Sequence, residues 1–220
     1  MKKYLVIFLL LCCGESFGQF FNRAHNYVGV KGGYNMSWMS FYPNTNPYTQ
    51  IPTDASSIGG YQVGIVFRNM SEDHVGILAE VNYSQKGWEE KNRQGIKYMR
   101  KLNYIEVPIM THISMGKKKL RFFLNIGPSI SFLLSEQETL TQQDPNADMQ
   151  NYYGKNLDQK FDFAFCGGGG LEYRFKKQSV LLEGRYTLSL LNVFDDATIG
   201  YSSSRNQGVG VTMTWLYDFH

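Results

Sequence analysis

The chain has 220 residues, of which 19% are charged, 15% are aromatic and 22 are glycine, with 22 basic against 19 acidic side chains and a formal net charge of +3. Mean hydropathy is −0.32, which excludes a bundle of membrane helices, since each span needs about 20 consecutive apolar residues. Near-neutral charge without long basic runs gives no electrostatic case for binding nucleic acid.

The chain opens with Lys2 and Lys3, an apolar run from Tyr4 to Cys13, and small residues before Gln19. This is the pattern of a secretory signal peptide, and the apolar run is too short to span a bilayer. Ser16 and Gly18 occupy the −3 and −1 places of a small-x-small site, predicting a leader at 1–18 and a mature domain at 19–220. Lipoprotein processing at Cys12 or Cys13 is the rival, with Leu11 and Cys12 in the preceding positions. Without the leader only Cys166 remains, so neither an internal disulfide nor a cysteine metal cluster is expected.

From Tyr27 onward apolar and polar residues alternate with period two, the strand pattern. Eight such stretches follow in order: 27–36, 58–68, 75–87, 100–113, 120–134, 161–175, 179–190 and 206–218. Each is long enough for a tilted strand to cross a bilayer, which takes about 9–11 residues. The gaps between them are 21, 6, 12, 6, 26, 3 and 15 residues, long and short in strict alternation. Short periplasmic turns and long extracellular loops are the habit of outer-membrane barrels.

One face of these strands is apolar throughout, running from Val28 and Val30 in the first stretch to Trp215 and Tyr217 in the last. It ends in aromatic residues at both strand termini, as interfacial girdles do. The other face holds Lys31, Arg68, Glu80, Glu106, Arg121, Asp162, Glu172, Arg174, Glu183, Arg185 and Asp218, together with many glycines. Near balance of sign suits an interior, because buried charges must be paired. Small residues suit the narrow lumen of eight strands. The expected fold is therefore all-β: an eight-stranded antiparallel up-and-down transmembrane β-barrel. The alternative is a soluble barrel with the two faces exchanged.

The stretches Ala79-Glu80-Val81-Asn82-Tyr83-Ser84-Gln85-Lys86-Gly87 and Leu102-Asn103-Tyr104-Ile105-Glu106-Val107-Pro108-Ile109 resemble the signature of the PorT-like outer-membrane β-barrel family of Bacteroidetes. Gly184-Arg185-Tyr186-Thr187-Leu188-Ser189-Leu190-Leu191-Asn192 is similar to that family's seventh strand. The resemblance covers essentially the mature chain and implies an outer-membrane location with both termini periplasmic. It supplies no activity, although the family name implies a secretion role for some relatives. The chain departs from the usual aromatic ending, with His220 after Phe219.

Among candidate chemistries, Lys31, Glu80, Glu106, Arg121, Glu172, Arg174, Glu183 and Arg185 are expected to form an interior charge network that holds register and closes the pore. A proton or ion path through the same residues is the other reading. His112 and Ser114, two apart, share a strand face and resemble a pair used by barrel-type lipid A deacylases. They fall near a short turn, away from lipid A, so no catalytic residue is assigned. Gly167–Gly170 lacks a phosphate-loop context. His25, His74, His112 and His220 are scattered, so neither a metal nor a cofactor is expected. Asp195-Asp196 and the acidic loop at Asp144 and Asp148 read as solvated.

The expected function is a non-enzymatic, monomeric outer-membrane protein of structural and surface-interaction type, inserted by the barrel-assembly machinery and bathed in outer-membrane lipid. Loops 37–57, 88–99, 135–160 and 191–205 would offer Trp38, Tyr42, Tyr48, Trp88, Tyr152, Tyr153 and Tyr201 to an extracellular or envelope protein. An envelope-biogenesis or secretion factor is the alternative, and a lipid-modifying enzyme a weaker third.

Overall fold

The computed structural model describes residues 25–43, 53–92, 97–116, 118–141, 154, 157, 159–194 and 201–219. The expected leader, Tyr48, Tyr152, Tyr153 and the acidic loop residues lie outside this set. Eight strands follow one another: β1 (His25–Pro43), β2 (Thr53–Met70), β3 (Val75–Asn92), β4 (Lys97–Met115), β5 (Leu120–Thr141), β6 (Phe161–Phe175), β7 (Gln178–Ser189) and β8 (Tyr201–Asp218). Each pairs antiparallel with its neighbour in sequence, and β8 returns to β1 to close the barrel.

The registers fix the barrel's shape. From Asn26 the paired residues run through Asn69, Ile77, Thr111, Ile126, Gly167, Tyr186 and Val209, and the ring closes on Met36. The stagger is thus ten residues for eight strands. With about 3.3 Å per residue and about 4.8 Å between strands, it tilts the strands by about 40°. Such a barrel encloses a space just wide enough for side chains to fill.

Period-two alternation decides which side chains fill it. Val30, Ile65, Phe122, Val211 and Met213 are all more than half exposed on the outer wall, while Lys31, Arg68, Glu80, Glu172 and Glu183 are buried within. The exchange of faces that would make a soluble barrel is therefore not the arrangement adopted. An outer wall this continuously apolar needs a non-aqueous surround.

The strands reach further on the loop side than the alternation indicates. β1 continues to Pro43, β3 to Asn92 and β5 to Thr141, and β8 begins at Tyr201. Beyond the apolar belt the outer face meets water rather than lipid, so the apolar and polar alternation fades while the backbone ladder persists. A register irregularity at Asn103/Tyr104 of β4, opposite β5, moves the inward parity of β5 from odd to even numbers, so that Ser131 and then Glu136 point inward. In contrast β6 starts only at Phe161 and β7 stops at Ser189. The wall is tall along β8 and β1 to β5 and low along β6 and β7.

Segments outside the strands fill the low side. The amides of Val193 and Phe194 donate to the backbone oxygen and Oγ of Ser204 at 2.8 and 3.0 Å. Leu157, Val193 and Phe194 pack with Met39, Trp88, Tyr98, Leu102 and Tyr104 in an apolar plug. Trp88, expected on an outward loop, is completely buried there. It lies on β3 at the same even parity as Glu80, which turns it into the lumen. Trp38 remains on the outside, near Tyr186. Side chains at 42 and 201 lie outside those described.

Candidate functional site in the lumen

The middle of the lumen is crossed by a closed quartet of charges. Lys31 of β1 donates through Nζ to Glu80 Oε1 and Oε2 of β3 at 3.1 and 3.0 Å, and lies 3.5 Å from Glu183 Oε2 of β7. Arg185 of β7 grips Glu80 with both terminal nitrogens, each at 2.8 Å. It reaches Glu183 with Nε at 2.9 Å and Nη2 at 2.8 Å. Two cations thus meet two carboxylates, each carboxylate clasped by an arginine fork, the strong charge-assisted geometry. Asn82 donates to Glu80 at 2.8 Å and Asn125 to Glu183 at 3.0 Å, completing the acceptors.

Glycines leave room for this crossing. A Cβ on Gly168 would lie 2.7 Å from Glu183 Oε1, and one on Gly64 would lie 2.1 Å from Asn82 Oδ1. At these wall positions any side chain would displace the network.

Toward the short turns, Asn125 links the quartet to a second group. Because its Nδ2 donates to Glu183, its Oδ1 accepts, and His112 Nδ1 at 2.7 Å is therefore the protonated nitrogen. The ring stacks on Phe123 and presents Nε2 to Arg68 Nη1 at 3.5 Å. Arg68 Nη2 and Arg174 Nε each lie 2.9 Å from Glu172 Oε1. The Arg68 guanidinium also sits 4.2 Å above the Tyr27 ring. Around it Val66, Met70, Leu78, Met110, Leu181 and Leu216 form an apolar floor.

Toward the loops, Lys86 pairs with Glu106, and Ser189 donates to Asp162 at 2.5 Å. Between this pair and the quartet lies a cavity of about 40 Å³, bounded by residues that include Asn35, Gln62, Ser84, Cys166 and Thr212. At about 10–15 Å³ per water it holds about three waters and no larger solute. Above it Arg100 pairs with Glu136 at 2.7 Å, 5.9 Å from the Trp88 ring centroid and 5.5 Å from that of Phe194. Trp88 Nε1 donates to the buried Glu90 at 2.7 Å.

Of the eight residues expected in the interior network, Lys31, Glu80, Glu183 and Arg185 come together in the quartet. Glu172 and Arg174 meet in the lower group and Glu106 in the upper. Arg121 does not join: it stands at the turn rim, with Nη1 donating to the Asp73 backbone oxygen at 3.0 Å. It lies at the end of β5, where its long side chain reaches the rim. Arg68 belongs to the interior face in the sequence but not to the expected network, and Lys86, Arg100 and Glu90 are interior residues outside that expectation. Their parity matches that of Glu80 and Glu106, the signal that would have found them. Cys166 is a buried free thiol. His112 and Ser114 are both completely buried, which keeps this pair from any lipid. Among the described residues no group of His, Cys, Asp and Glu is arranged to hold a metal.

The sequence matches the family described as outer membrane protein beta-barrel domain over residues 17–195. The chain belongs to that family. This outer-membrane barrel resembles the solved structure of the outer membrane protein OprG from Pseudomonas aeruginosa at 14% identity, covering 90% of this chain and 97% of that one, with a TM-score of 0.56. Looser likenesses are to Neisserial surface protein A, at 12% identity, 89% and 99% coverage and a TM-score of 0.44, and to Ail, the attachment invasion locus protein of Yersinia pestis, at 9%, 88% and 99% coverage and 0.42. No curated protein matches the sequence. The OprG likeness supports the fold; with family membership it gives an outer-membrane barrel, whose apolar wall meets outer-membrane lipid.

Proposed function

We propose that this outer-membrane barrel is a non-enzymatic, monomeric surface-interaction protein of the PorT-like type found in Bacteroidetes. It would be exported through a signal peptide at 1–18, matured as 19–220 and inserted by the barrel-assembly machinery, with its short turns in the periplasm. The observation that carries this reading is the filled lumen. A closed charge quartet lies between an apolar floor and an apolar plug, and the cavity beside the quartet has room for about three waters. A barrel so filled offers partners its ends, above all the tall extracellular wall of β1 to β5, where an extracellular or envelope protein would dock. The Lys31, Glu80, Glu183 and Arg185 quartet then serves register and closure rather than conduction. In planar bilayers the purified protein should give no unit conductance steps; steady single-channel current would defeat the closed-lumen reading.

A role in envelope biogenesis or secretion is the second reading, favoured by the likeness of Tyr104-Ile105-Glu106-Val107-Pro108 to the PorT-like signature. Deleting the protein and comparing exported proteins with surface adhesion separates the two. Lost adhesion with intact export supports the surface role, and lost export of other proteins supports biogenesis.

A further inference from the structure

At the short-turn end the charge is lopsided. The β2–β3 turn carries Glu72 and Asp73, whereas the β4–β5 and β6–β7 turns bring Lys118, Lys119, Arg121, Arg174 and Lys176 around one open cleft of about 570 Å³. All five lining residues are cations. The amide of Arg174 donates to the Lys119 backbone oxygen at 2.8 Å, which joins the two turns. Among the described residues no carboxylate pairs with Lys118, Lys119, Arg121 or Lys176. Arg121 Nε and Arg174 Nη2 are buried and make no hydrogen bond within the described structure.

The outer wall below the two turns identifies the occupant. Leu120 pairs with Tyr173 and Phe122 with Leu171 across β5 and β6, and all four are exposed on the outer wall. An apolar strip therefore runs along the outer wall to the rim, where Lys118, Lys119 and Lys176 stand exposed on the two turns, while Arg121 and Arg174 alternate to the inner side and Arg174 pairs with Glu172. That combination matches an amphiphile carrying phosphate on acyl chains: the turn ammonium groups bind the phosphate oxygens, while the strip meets the chains.

We propose that this cleft binds the phosphate headgroup of an anionic glycerophospholipid in the inner leaflet of the outer membrane, fastening one side of the barrel at its periplasmic rim. The leaflet assignment rests on the proposed periplasmic turns; the lipid chemistry does not. The test is native mass spectrometry of the intact barrel in neutral detergent, titrated with phosphatidylglycerol or phosphatidylcholine. The wild type should retain phosphatidylglycerol preferentially, and the Lys118→Gln/Lys119→Gln/Lys176→Gln variant should bind it at least about tenfold more weakly, given the contribution of each basic residue near an anionic lipid surface. The variant should keep its heat-shifted gel band, and Arg at the same three positions should restore binding. Equal retention by wild type and Gln variant, or equal retention of the two lipids by the wild type, overturns the site. Inorganic phosphate binding as tightly as the lipid overturns the lipid assignment, and so does an acidic peptide outcompeting it. Separately, reaction of Lys176→Cys with an impermeant maleimide on intact cells would overturn the periplasmic placement and leave the detergent result standing.

Discussion

The middle and the outer end of this lumen are filled by different physics. In the middle, Lys31, Glu80, Glu183 and Arg185 sit on strands held by hydrogen-bonded ladders on both sides, and carboxylate meets guanidinium at 2.8 Å. At the outer end, Leu157, Val193 and Phe194 come from segments between strands and meet Trp88, Tyr98 and Leu102 through apolar contact. Paired charge demands exact donors at fixed distances, and each ion pair among the described residues, Arg100 with Glu136 beside the plug included, joins side chains on strands. Apolar contact is non-directional and suits segments less tightly tied. On this contrast the quartet is expected to be the rigid part of the closure and the plug the part that opens locally.

The largest expected effect breaks the rigid part. Glu80→Ala leaves Lys31 and Arg185 with a single shared carboxylate, and should lower stability by about 3–5 kcal/mol in urea titrations of the barrel in micelles. Combining Lys31→Met with Glu80→Gln should cost less than the two single changes added, because their effects couple within one network. Strict additivity would mean that these residues act independently.

Gly168→Ala sharpens the same point from the wall side. Its methyl would lie 2.7 Å from both Glu183 Oε1 and the Gly184 backbone oxygen, and overpacking of this kind costs about 1–3 kcal/mol. A neutral result in the same titration would show that the wall yields.

Phe194→Ala probes the softer end. The global loss should be no more than about 1 kcal/mol, below the about 3–5 kcal/mol of an ordinary core phenylalanine, because the plug can open without unpairing the strands beneath. Fluorescence of Trp88, read in a background with Trp38 and Trp215 replaced by Phe, should shift to the red as water enters. An unshifted spectrum with a large global loss would make the plug part of the rigid core.

The smallest effect is expected at the opposite rim. His25 Nδ1 lies 3.1 Å from Asp218 Oδ2, with the histidine side chain 62% exposed. His25→Ala should change stability by less than about 1 kcal/mol, as exposed pairs do, in the same denaturation assay.

The sequence by itself determined the number and direction of the strands, which face is apolar, and which connections are short. All of these follow from period-two alternation and gap length, properties of neighbours along the chain. It placed Glu80, Glu172 and Arg185 inside because parity is local. Only the tertiary structure decided that Lys31 reaches Glu80 and Glu183, that Arg68 joins His112 and Glu172, that Arg121 stays at the rim, and that Trp88 turns inward as part of a plug. Those partners come from strands far apart in the chain, brought level by the ten-residue stagger of the closed ring. A stagger is a property of the whole circuit of ladders, and no single stretch of sequence contains it.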